Sequence, residues 1–190
     1  MWWQPHDIFM SLNVPGIGSA NISPKDLAGP MSITYTVHDS LYIFCMYAIY
    51  TADFTAKEGR IEYNKQQAPE LKRQLEVDER CLKFGPFAVI VPAVPFLETV
   101  KSQLLRQGYQ GKGRLVDYYD DSIYHGEIPE ADIPFMKQIR FSYQNEFRIA
   151  ITPRIIGTGP LSINIGPISN IAARVESSKL NSLLNIASIQ

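Results

Sequence analysis

A chain of 190 residues with 45% hydrophobic and 19% charged side chains can bury a core, and that balance excludes a disordered or coiled-coil polypeptide. A formal net charge of −1 provides no long-range field for a polyanion, which sets aside nucleic acid and anionic membrane surfaces as partners. Cys45 and Cys81 fall in no CxxC or Cys/His spacing, so no structural zinc site is readable.

The opening MWWQPHDIF has neither a basic n-region nor an apolar h-region. With both cysteines read as reduced thiols, the expectation is a soluble, cytoplasmic protein. Trp2 and Trp3 start the chain as though entering mid-element, so a further segment is expected ahead of the first strand in longer relatives. Residues 8–30 are rich in Gly, Pro, Ser and Asn and read as a long ordered loop. Gly16-Ile17-Gly18 lacks the preceding strand, third glycine and following helix of a dinucleotide loop.

Met31–Val37 alternates Met31, Ile33, Tyr35 and Val37 with Ser32, Thr34 and Thr36, the period of a half-buried strand. His38-Asp39-Ser40 is the turn of a hairpin. Leu41–Ile49 is its second strand, apolar at nearly every position and therefore expected at the centre of a sheet. The apolar run Leu41–Tyr50 is too short to span a bilayer.

Pro69–Glu79 carries helix signals, with Pro near the first position, Glu70 in the first turn and Leu71 one turn from Leu75. Phe87–Val91 reads as a short buried strand. Pro95 opens an amphipathic helix through Gln107, with Phe96, Leu97, Val100, Leu104 and Leu105 on one face, Phe96, Val100 and Leu104 packing on the sheet, and Gly108 stopping it. Arg114–Tyr119, Phe147–Thr152 and Leu161–Ile165 read as strands, Asp120–Asp132 as an acidic loop, and Ser177–Ile186 as a helix with Leu180, Leu183 and Leu184 inward. The strand–helix–strand unit of Phe87–Tyr119 favours a right-handed crossover. The architecture expected is one α+β domain over residues 1–190, with a few helices packed on a mixed central sheet. That sheet is expected to hold Met31–Val37, Leu41–Ile49, Phe87–Val91 and Phe147–Ile151.

The triplet Gln144-Asn145-Glu146, abutting the apolar run of Phe147, Ile149 and Ile151, is the segment richest in chemistry. Side chains at i and i+2 entering a strand share one side, so Gln144 and Glu146 can face one pocket. A carboxylate there can stabilise a sugar oxocarbenium or accept a hydroxyl proton, and the amide can recognise the group being modified. The structural alternative pairs Glu146 with Arg148, Lys137 or Arg140 at a sheet edge.

This triplet resembles the [Gln/Glu]-x-Glu signature of mono-ADP-ribosyltransferases. The resemblance implies NAD as cofactor, Glu146 as catalytic carboxylate and Gln144 as the residue positioning the acceptor. It also implies a nicotinamide-binding strand at Ser32, Thr34 and Tyr35, continuing to Thr36, with His6 in the place of the basic residue on an earlier strand. More of the chain, GPFAVIV, PFLETVKSQL, LVDYYD, PFMK and YQNEFRIAI, is similar to a widespread bacterial family of no settled activity. That family ends in Phe-x-Lys…Tyr-[Gln/Glu]-x-Glu-[aromatic]-Arg, matched by Phe135, Lys137, Tyr143, Gln144, Glu146 and Arg148.

The acidic loop collects Asp117, Asp120, Asp121, His125, Glu127, Glu130 and Asp132, but lacks the offsets of an EF-hand and reads as solvated, with no metal expected. Gly108–Arg114 lacks GK[ST] and follows a helix, so it reads as a helix-stop turn with Lys112 and Arg114 in solvent. Two functions remain open: an NAD-using transferase with a nucleotide ligand, or a non-catalytic immunity, antitoxin or defence-associated module with a protein partner. In the second, the QNEFR edge and the acidic loop form the contact surface.

Overall fold

The seven-residue strand Glu146–Thr152 organises the chain, because its two faces have opposite chemistry. Strand alternation turns Phe147, Ile149 and Ile151 one way and Glu146, Arg148 and Ala150 the other. The computed structural model describes residues 2–3, 10–14, 16, 18–22, 31–32, 40–52, 54, 56–57, 60–124, 126, 128–152 and 159–184.

In chain order the strands are β1 (Trp2–Trp3), β2 (Met10–Val14), β3 (Gly18–Ile22), β4 (Met31–Ser32), β5 (Tyr42–Tyr47), β6 (Ala56–Lys57) and β7 (Arg60–Ile61). Helices α1 (Ala68–Leu75) and α2 (Glu79–Leu82), strand β8 (Phe87–Ile90) and helix α3 (Ala93–Arg106) follow. Then come β9 (Gln110–Leu115), β10 (Asp117–Tyr119), β11 (Met136–Gln138), β12 (Glu146–Thr152), β13 (Ala173–Glu176) and α4 (Leu180–Leu183). The α+β class expected from sequence is the one observed.

The largest sheet among the described residues has the order β5-β12-β9 and is antiparallel throughout. One residue beyond β9, β10 pairs in parallel with β11, so both ladder types occur along neighbouring strands. Helix α3 covers the apolar face of β12. Phe96, Val100 and Leu104 recur every fourth residue and meet Ile149 and Ile151 in one buried cluster. Burying each of these side chains contributes about 1.5–3 kcal/mol. Two glycines of β9 allow that approach. A Cβ on Gly113 would stand 3.0 Å from the Phe147 ring, and one on Gly111 would stand 3.2 Å from Leu104.

Several expectations are corrected. Leu41–Ile49 is not the central strand: β5 lies at the edge of its sheet, with Ile43 46% and Phe44 51% exposed. Centrality went to β12, whose charged residues are neutralised by partners and therefore tolerate burial. The two described residues of the Met31–Val37 strand pair with β1 and not with β5, and 33–37 lie outside the described residues. β8 pairs with β13, so α3 connects two separate ladders and makes no crossover within one sheet. Gly108 has φ +76° and ends α3, but Gln110–Leu115 is a strand and not a turn.

Leu161–Ile165 forms no ladder among the described residues. Its alternating Leu161, Ile163 and Ile165 nevertheless pack against the core. The C-terminal helix is a short 3₁₀ turn followed by α4. Leu180 is buried there, while Leu183 is 55% exposed instead of inward. Cys45 and Cys81 are unpaired as expected, though Cys45 is exposed because β5 is an edge strand. No helix among the described residues is long and apolar enough to cross a membrane.

Adjacent leucines of α3 provide a test of the packing. Leu104→Ala should cost about 2–5 kcal/mol in urea unfolding, whereas Leu105→Ala, on a side chain 63% exposed, should change stability by no more than about 0.5 kcal/mol.

Candidate functional site

Gln144 and Glu146 do converge, and Lys137 brings them together. The chain reaches this point through a 3₁₀ turn, Ile139–Gln144, and reverses at Asn145, whose φ of +41° lies in the left-handed region. Asparagine tolerates that conformation better than most residues. A reciprocal pair holds it: Ala48 N–H donates to Asn145 O at 2.8 Å, and Asn145 Nδ2 donates to Ala48 O at 2.6 Å. β12 begins at the next residue.

The Lys137 amine donates to Gln144 Oε1 and to Glu146 Oε1. Arg148 Nε donates to Glu146 Oε2 at 2.8 Å, and Arg148 Nη1 donates to Pro134 O at 2.7 Å. Both carboxylate oxygens are therefore engaged by cations, and Glu146 is only 8% exposed. Its backbone is held too, with the N–H donating to Tyr118 Oη at 2.9 Å and the carbonyl accepting from Val116 N–H at 2.9 Å. Burial pushes the Glu146 carboxyl up, but Lys137 and Arg148 outweigh it and hold the acid below the usual carboxylate range. Cys45 is exposed as a residue, but partial burial of its thiol, reinforced by the Glu146 charge, raises it above its ordinary value.

The signature residues of the wider resemblance gather around this network. Phe135 is 1% exposed, with Arg114 5.2 Å and Lys112 5.7 Å from its ring centre. Arg114 is not solvated as expected, because it bonds both Asp117 and Asp132 and ties the acidic loop to β9. Lys137, Gln144, Glu146 and Arg148 form the polar centre. Tyr143 stands at its border under the Arg80 guanidinium, 3.7 Å from the ring centre.

Of the proposed cofactor residues, only Ser32 falls within the described structure. Ser32 sits opposite Trp2 in the separate β1–β4 ladder. Thr34 and Tyr35, like His6 and Thr36, lie outside the described residues.

A concavity opens beside the triplet, with Asn145 in its wall. It is a solvent-open cleft of about 870 Å³, walled by Tyr47, Tyr50, Asp78, Arg80, Tyr143 and Asn145 among others, with neither Gln144 nor Glu146 in its lining. Asp78 caps α2 by accepting from Arg80 N–H at 2.9 Å and binds the same residue's guanidinium at 2.9 and 2.7 Å. Those bonds bring its carboxyl down to about 2. Asn181 closes one end, its amide making two 2.9 Å bonds with the backbone of Val77. Sequence reading passed over this cleft. Its only local signals are the tyrosines of Tyr47–Tyr50 and the charge-dense Glu76–Arg80 run, which are far apart in the chain. Comparison with protein-family models, curated proteins and solved structures finds no significant match to this chain.

Removing the Glu146 charge strands two half-buried cations, so Glu146→Gln should destabilise the protein by about 3–5 kcal/mol in chemical denaturation. The acid limb of stability follows from the depressed carboxyl. The contribution of Glu146 is complete above the unfolded-state value of 4.5 and disappears as pH falls through the lower folded value. Wild type should therefore lose stability more steeply than Glu146→Gln below about pH 4.5 in pH-dependent melting.

Proposed function

We propose that this chain is a non-catalytic, cytoplasmic binding protein of the immunity, antitoxin or defence-associated kind, and not an NAD-using transferase. The observation supporting this is the charge balance at Glu146. Two cations on one carboxylate leave a local surplus of positive charge, which opposes the developing oxocarbenium that a transferase glutamate must stabilise. The carboxylate also has no face on the adjacent cleft. The Gln-x-Glu triplet is then a latch. It holds the Pro134–Gln138 segment on the polar face of β12, and the open cleft beside it is the contact surface.

The test is incubation with NAD, followed by chromatography for free nicotinamide and calorimetry for binding. The expected result is no nicotinamide release and no saturable heat. Release that disappears in Glu146→Gln while the folded fraction is preserved would sink the binder reading and restore the transferase.

A further inference from the structure

Resting on the binding-protein reading, we propose that the cleft receives a cationic, arginine- or lysine-bearing segment of a protein partner. Its charges point that way once internal pairs are set aside. Arg80 is bound by Asp78, and Arg73 by Glu70 at 2.6 Å. Glu76 and Glu79, exposed residues of the same lining, make no ion pair among the described residues. An acidic surplus therefore faces solvent within a concavity large enough for a few side chains.

The walls supply the second half of the chemistry. Tyr47, Tyr50 and Tyr143 line the same space, with Tyr50 42% exposed. Aromatic faces beside carboxylates attract guanidinium and ammonium groups through ring quadrupole and charge together. The cleft already holds one such group in place. The Arg80 guanidinium lies 3.7 Å from the centre of the Tyr143 ring while Asp78 grips it through two nitrogens. A partner's cation held between Tyr50 and the acidic residues of the same lining would repeat that arrangement between molecules. Both arginines of the lining are bound to carboxylates, so among the described residues the cleft offers an anionic ligand no unpaired cation.

The probe is a short fluorescein-labelled peptide of alternating arginine and glycine, titrated with the full chain in fluorescence anisotropy beside a glutamate–glycine peptide of equal length. The arginine peptide should bind saturably, and the glutamate peptide should not. The double substitution Glu76→Gln/Glu79→Gln should weaken binding about tenfold or more, and Tyr50→Leu severalfold, with melting temperatures unchanged. Asp121→Asn/Glu130→Gln, in the separate acidic loop, should leave binding as in wild type. Equal loss in the acidic-loop variant, undiminished binding in the cleft variants, or displacement by free arginine at the same guanidinium concentration would each overturn the proposal. The two readings fail separately. Absence of peptide binding together with absence of nicotinamide release removes this inference and leaves the binding-protein reading standing, whereas nicotinamide release removes both.

Discussion

The burial of one carboxylate between two cations is the constraint on which the rest of this structure depends. Glu146 opens the central strand, where desolvation would expel a lone charge. Lys137 and Arg148 make the position tenable, and each also ties down something else. Lys137 gathers Gln144, and Arg148 reaches the carbonyl of Pro134. Breaking one contact therefore loosens the 3₁₀ turn, β11 and the start of β12 together. Buried ion pairs of this kind add little net stability over apolar packing, but they penalise wrong registers. A one-residue slip of β12 would send Glu146 and Arg148 into the cluster of Phe96, Val100 and Leu104.

The opposite face of the same strand completes the division of labour. Ile149 and Ile151 meet the α3 stripe, with glycines of β9 clearing the space for the Phe147 ring and Leu104. Apolar burial provides the driving force on that side, and the polar network selects the register on the other. The Gly108–Arg114 segment serves both. Its glycines permit close helix–sheet packing, while Lys112 and Arg114 flank Phe135. A stretch that looks like a phosphate loop is thus accounted for by packing on one face and charge on the next.

Of the triplet, only Asn145 is in the cleft wall. Gln144 and Glu146 are engaged by Lys137 and Arg148, and the open surface nearby is lined from α1, the α1–α2 connection, α2, the end of β5, the 3₁₀ turn before β12 and α4. Asn145 stands at the junction. Its left-handed backbone starts β12 while its side chain holds Ala48, so the latch and the cleft wall share one residue.

What the sequence by itself determined is the set of elements whose signals are local. The α3 stripe at Phe96, Val100 and Leu104, the helix stop at Gly108, the alternation of Phe147, Ile149 and Ile151, and the α+β class all follow from periodicity and backbone preference within a few residues. The convergence of Gln144 and Glu146 was legible from their spacing, and Lys137 and Arg148 were among the candidate partners. Only the tertiary structure decided that β12 and not β5 is central, because a charged strand is admissible at the centre only when its partners arrive from elsewhere in the chain. It also decided that β8 pairs with β13, about 85 residues away along the chain, and that Leu161, Ile163 and Ile165 pack against the core with no ladder among the described residues. The cleft was illegible for the same reason. Tyr47, Glu79 and Tyr143 carry no mutual signal until the fold closes the distance between them, and strand pairing and side-chain neutralisation are relations between segments that no single segment encodes.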